Sequence, residues 1–214
     1  MAALVDHLES RLGPLAGAWS PEEGAPEGAP RIGYFSGGVL PGVHAFATIG
    51  LFKAPLTSRV FGRHQHMELL ACGRAAPGDD PGPLPGVLEW IAGRLLTGGE
   101  ALLRGDVVPL PMPLVPGGTM TALYAALPVC FDDDFASVVL ENGLETIVVW
   151  LVPIGASEAA LAPSSSIPRH NSVPIERASV RWRQCHSHPT ARVTSSTDWP
   201  KNCEAPRDQP RPLA

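Results

Sequence analysis

The chain has 214 residues, is 44% hydrophobic and carries a formal charge of −5. That much apolar sequence supports a core of its own, and the acidic balance gives no footprint for a nucleic acid or an anionic membrane. No apolar run reaches membrane-spanning length, MAALVDHLESRLG lacks the basic-then-apolar plan of a secretory signal, and four cysteines without CxxC spacing point to reduced thiols in a cytoplasmic protein.

In chain order, Leu4, Val5, Leu8 and Leu12 share one helical face, and Gly13-Pro14 ends that helix. Trp19 to Pro30 is an acidic Pro/Gly linker. RIGYFS, GGVLPG and VHAFATIGL read as strand, turn, strand. Alternation in the last of these sends Val43, Ala45, Ala47 and Ile49 one way and His44, Phe46 and Thr48 the other. HMELLACG, from His66 to Gly73, is a further strand, and AAPGDDPGPLPG a loop. Leu84, Val87, Leu88, Ile91 and Leu95 follow helical spacing, with Pro85 in the first turn and Gly98-Gly99 as the stop. Gly105-Asp106 turns into VVPLPMPL, whose prolines suit an edge strand or an extended loop. TMTALYAALPV and ETIVVWLVPI are strands. The second is apolar on both faces, which predicts a central position in a sheet covered on both sides, with Pro153 ending its ladder. GASEAALA opens a helix, with Ser157 as N-cap and Glu158 near its positive end.

After Pro163 this pattern stops. Residues 1–162 hold 8 Lys+Arg against 17 Asp+Glu, whereas residues 163–214 hold 8 against 4. The last stretch is rich in Ser, Pro, Arg and Thr and has no sustained period. It cannot offset an ordering cost of roughly 1–2 kcal/mol per residue, so a disordered basic tail is expected. Two origins stay open: an ordinary extension, or a GC-rich gene read out of frame from about position 163. Sequencing the 3′ end of the gene separates them.

Few residues suggest chemistry. His64 and His66 stand two apart on a strand, so both rings face one side, with Glu68 and Cys72 beyond them as further metal donors. The alternative is a polar turn entering a strand. Asp132, Asp133 and Asp134 could hold a divalent cation, but the alternating ligand spacing of a calcium loop is missing and a solvated turn explains the run. Cys185 to His188 with Cys203 repeats the metal motif inside the tail, where metal alone would have to create order. Pro116 to Ala122 has glycines but no GK[ST], and so reads as a turn before a strand. No G-x-S-x-G elbow is present. Cys72 and Cys130 sit among apolar neighbours and read as buried, inert thiols.

The order of the segments adds information that no single motif holds. ATIGLF is followed by HMELLACG, the helix around LEWIAGRLL, LLRGDVVPL, TALYAALPVCFDDDF and TIVVWLVPIGASEAAL. This series, over roughly residues 30–162, resembles the suppressor-of-fused domain family. Gly50-Leu51, Glu68-Leu69, Gly105-Asp106, Pro128 and Pro153-Ile154 with Glu158 take the family's positions. Phe52 departs from the usual Ser after Gly-Leu, and Gly155 from the Thr that often follows Pro-Ile. The helix after Glu158 runs into Pro163, where the family's helix should continue.

The resemblance implies an α+β fold: a mixed, mainly antiparallel sheet flanked by helices, here followed by the disordered C-terminal tail. The expected division is a helix and linker over 1–30, a suppressor-of-fused-like domain over 31–162 and the tail over 163–214. Animal members of the family sequester a transcription factor, and bacterial single-domain relatives resemble immunity proteins that neutralise polymorphic toxins. The implied function is therefore non-enzymatic protein binding, with a basic toxin domain as partner for the acidic body, and with no nucleic acid, membrane or cofactor involved. No catalytic, cofactor-binding or metal residue follows from the resemblance. The competing readings are a metal-dependent hydrolase built on His64, His66, Glu68 and Asp132–Asp134, and an orphan structural domain.

Overall fold

The computed structural model describes residues 1–74 and 82–161. Among them, helix α1 (Ala2–Leu12) is followed by strands β1 (Leu15–Trp19), β2 (Arg31–Ser36), β3 (Val43–Ile49), β4 (Leu56–Thr57) and β5 (His64–Arg74). Helix α2 (Leu84–Gly98) precedes β6 (Val107–Pro109), β7 (Met120–Ala126), β8 (Ser137–Val139), β9 (Glu145–Gly155) and the short helix α3 (Ala156–Leu161). The tail reading, its out-of-frame alternative and the Cys185–His188/Cys203 motif lie outside the described residues.

One sheet runs in the order β1-β2-β3-β5-β9-β7-β6, with β4 against the start of β5 and β8 against the start of β9. β5 and β9 are parallel, from His66↔Thr146 to Leu70↔Trp150. The other pairs are antiparallel. The expected mixed, mainly antiparallel α+β sheet is what forms.

Its two faces carry separate cores, and the strand alternation decides which residue joins which. Phe46, Met67, Leu69, Val149 and Leu151 pack under α2 through Leu84, Val87, Leu88, Ile91 and Leu95. Ala45, Ala47, Ile49, Leu70 and Val148 pack under α1 through Leu4, Leu8 and Leu12, together with Phe135 and Leu140. β9 is thus central and covered on both faces, as its unbroken apolar run predicts. α2 ends at Gly99 in the left-handed conformation (φ 68°), whose N–H bonds Leu95 O.

Three local readings need correction. Leu15–Trp19 is a strand, although the sequence shows only a helix stop and then a linker. β1 is a short edge strand with a bulge between Leu15 and Gly17, too brief for a period to show. The N-terminal segment is also built into the sheet rather than strung before it. A Cβ at Gly38 would lie 2.3 Å from Arg11 O, so only glycine lets the β2–β3 turn meet the end of α1. Second, Pro153 does not end β9, since it pairs with Leu123 and the strand runs on to Gly155. β5 leaves β9 after Trp150, so Pro153 sits where β9 has one neighbour and a missing N–H is tolerated. Third, Ser157 is not the N-cap of α3. The helix starts at Ala156, and Glu158 Oε2 accepts the Gly155 N–H at 2.7 Å, one half of a capping box.

Candidate functional site

The densest polar arrangement in the described interior lies where β3 leaves the sheet. The β3–β5 ladder stops at Ala47↔Leu70. At the next step a side chain replaces the backbone: the Thr48 hydroxyl accepts the Leu69 N–H at 2.8 Å and donates to Glu68 Oε2. Gly50 then turns the chain at φ 114°, a left-handed value that suits only glycine here, into a 3₁₀ turn over Leu51–Lys53. The N–H groups opening such a turn lack internal acceptors. Glu68 Oε1 supplies one, taking the Gly50 N–H at 2.7 Å and the Phe52 N–H at 3.3 Å. His66, one pleat earlier on β5, donates from Nδ1 to Phe52 O at 2.6 Å. Gly50–Phe52 is therefore held from below by an acid and an imidazole two residues apart on one strand face.

Glu68 is completely buried. Burial pushes its carboxyl up to about 7, against the opposing pull of the Thr48, Gly50 and Phe52 hydrogen bonds. A raised buried carboxyl can mark a catalytic acid. Here both oxygens are engaged by the protein's own backbone and by Thr48.

Two more acids are engaged in the same way. Asp106, almost wholly buried, accepts the Leu103 N–H at 2.7 Å through Oδ2 and pairs with Arg59 through Oδ1. It closes the turn before β6 and ties it to the β4–β5 hairpin. Asp106→Ala is expected to lower stability by about 2 kcal/mol by stranding the Leu103 N–H and the half-buried Arg59. Asp106→Asn should lose less, and urea denaturation of the two variants checks the order. Glu158 is the third, holding Gly155.

The residues of the hydrolase reading are not brought together. His64 is exposed at the start of β5, His66 holds a carbonyl and Glu68 is enclosed. Asp132 and Asp134 face Arg11 at 3.0 and 3.6 Å, against α1. Among the described residues no group of three or more His, Cys, Asp or Glu side chains is placed to hold a metal ion. Cys72 fits the inert-thiol reading: burial first, then the neighbouring Cys130, pushes its thiol up to about 12. Cys130 does not fit as a buried residue. It is exposed, because β7 ends at Ala126, before Pro128, and the chain turns outward there. Gly118 N–H to Val115 O makes the expected turn before β7. Thr48 and Arg59 are the functional partners the sequence did not reveal. Thr48 hides in an apolar strand, and Arg59 is one of several surface-type arginines whose buried partner is distant in sequence.

A family model described as suppressor of fused protein matches residues 28–169, two thirds of the chain. The chain belongs to the suppressor of fused family. Among solved structures it is similar to a suppressor-of-fused homologue from Neisseria gonorrhoeae FA 1090, with a TM-score of 0.53 at 14% identity, covering 93% of this chain and 97% of that one. At that identity the likeness concerns the fold. No curated protein sequence matches the chain. For a suppressor-of-fused domain, the structure gives the family positions physical content. Gly50 makes the left-handed bend, and Glu68 caps the 3₁₀ turn that Gly50 opens. Asp106 closes the turn before β6, and Glu158 caps α3. The departures become intelligible as well. At position 52 it is the backbone N–H and C=O that the site uses, while the Phe52 side chain goes into the α1-side core. At position 155 the N–H is used, and a Cβ there would meet its neighbours at no less than 3.5 Å, so the backbone does not demand glycine.

Proposed function

We propose that this suppressor-of-fused domain is a non-enzymatic binding protein, and specifically a cytoplasmic immunity protein that neutralises a toxin by covering it. One observation carries the reading: Glu68, Asp106 and Glu158, the acids at the family's positions, each give one oxygen to a backbone N–H of their own fold, and Glu68 and Asp106 give the other to Thr48 and Arg59. What the family pattern encodes is a scaffold, and a scaffold acts through its surface. The acidic body favours a basic partner, such as a nuclease-type toxin domain, whose approach it would accelerate. The free thiols of Cys72 and Cys130 suit a reducing compartment, and no helix among the described residues is long and apolar enough to cross a membrane.

Co-expression with toxin domains encoded beside the gene tests the reading. Rescue of growth by this chain, together with a stable complex of the purified pair that weakens as salt is raised, is expected. Absence of rescue and of a complex with every neighbouring toxin would leave an orphan domain instead.

A further inference from the structure

The β4–β5 hairpin combines internal ties with an exposed aromatic side chain at its tip. Its tip, Ser58 to Arg63, is tied from within: Ser58 N–H to Arg63 O at 2.9 Å, Gly62 N–H to Ser58 O at 2.8 Å and Phe61 N–H to Ser58 Oγ at 3.2 Å. Ser58 is fully buried, and Arg59 is anchored on buried Asp106. Yet this internally tied loop holds two apolar side chains in solvent, Val60 at 67% and Phe61 at 63% exposure. The Arg63 guanidinium lies over the Phe61 ring, 5.3 Å from its centroid, and favours that ring orientation. An exposed aromatic that is already ordered loses little entropy on binding, which is the property of an interface anchor. The tip also inverts the local charge. Arg63 and His64 are exposed on a body in which acids outnumber bases. A net acidic body disfavours an anionic membrane as the occupant. Met112, Val115, Met120 and Leu161 are exposed apolar side chains as well.

We propose that the hairpin tip Ser58–Arg63 is the anchor of this protein's interface, with Val60 and Phe61 entering an apolar pocket on a folded protein partner whose rim carries carboxylates facing Arg63 and His64. This rests on the binding-protein reading and adds the surface to it. On a partner that is basic elsewhere, an acidic rim at one pocket would also pin the register of the complex, since any displacement brings like charges together.

Photo-crosslinking of the full chain in the organism that carries the gene tests the surface. A photoreactive benzoylphenylalanine replaces Phe61 in one strain and Val129, an exposed apolar residue away from this hairpin, in another. Expected is a discrete protein adduct from position 61, with the crosslinked partner peptide next to Asp or Glu residues. Adding Arg63→Glu should cut its yield about tenfold, while leaving the thermal unfolding of the chain unchanged. An adduct from position 129 alone overturns the tip as the interface and leaves the binding reading standing. An adduct at 61 that is a lipid, a second copy of this chain, or a protein bound equally well by Arg63→Glu also overturns the proposal. No discrete adduct from either position overturns both readings.

Discussion

Replacing Glu68 by alanine is expected to destabilise the fold by roughly 4 kcal/mol, a large share of the 5–15 kcal/mol typical of a domain. The substitution strands the Gly50 and Phe52 N–H groups and the Thr48 hydroxyl in an interior that excludes water. Each stranded group costs about 1–3 kcal/mol. Glu68→Gln keeps an acceptor for the turn and should lose only about 1–2 kcal/mol. The pH dependence is a second signature of the same group. The folded carboxyl titrates at about 7 and the unfolded one near 4.5, so the folded state holds its proton more tightly. The resulting stability is fully present below about 4.5 and is lost as pH rises through about 7, a difference of roughly 3 kcal/mol. Urea denaturation from pH 4.5 to 8.5 should therefore show the wild type losing stability relative to Glu68→Gln across that window, with the two profiles parallel above it.

The second large effect lies on the central strand. Leu151 has no exposed surface and sits in the α2-side core. Leu151→Ala is expected to cost about 3 kcal/mol, in lost burial and in the cavity that a two-sided strand cannot close by shifting. Val139→Ala, on β8 at 65% exposure, should stay within about 0.5 kcal/mol. Denaturation midpoints of the two variants measure the contrast, which comes from β9 being covered on both faces and β8 leaving Val139 in water.

What was legible beforehand tracks the strength of the local signal. α1, α2 and the strands β2, β3, β5, β7 and β9 show in the sequence because each spends several residues against one of the two cores. β1, β4 and β8 do not, because strands of two to five residues at edges or beside longer neighbours carry no period of their own. The order of Gly50-Leu51, Glu68, Gly105-Asp106 and Pro153-Ile154 with Glu158 pointed to the family. It could not say why those residues stand there. The reason is tertiary: Glu68 reaches a turn 16 to 18 residues earlier, and Asp106 meets Arg59 from 47 residues away. The same distance misled the metal reading. His64, His66 and Glu68 share a strand face, but the fold uses them separately. His64 stands in solvent at the hairpin, His66 holds a carbonyl and Glu68 holds two amides.

That Glu68 caps an internal turn, sealed from solvent and from ions, can be read at a single atom. Carbon-13 NMR of the Glu68 side-chain carboxyl, recorded from pH 4 to 9 with and without Zn²⁺, should give a midpoint near 7 that the metal does not move. A midpoint at or below 4.5, or one displaced by the metal, would show a carboxylate open to solvent and ligands and would contradict the account.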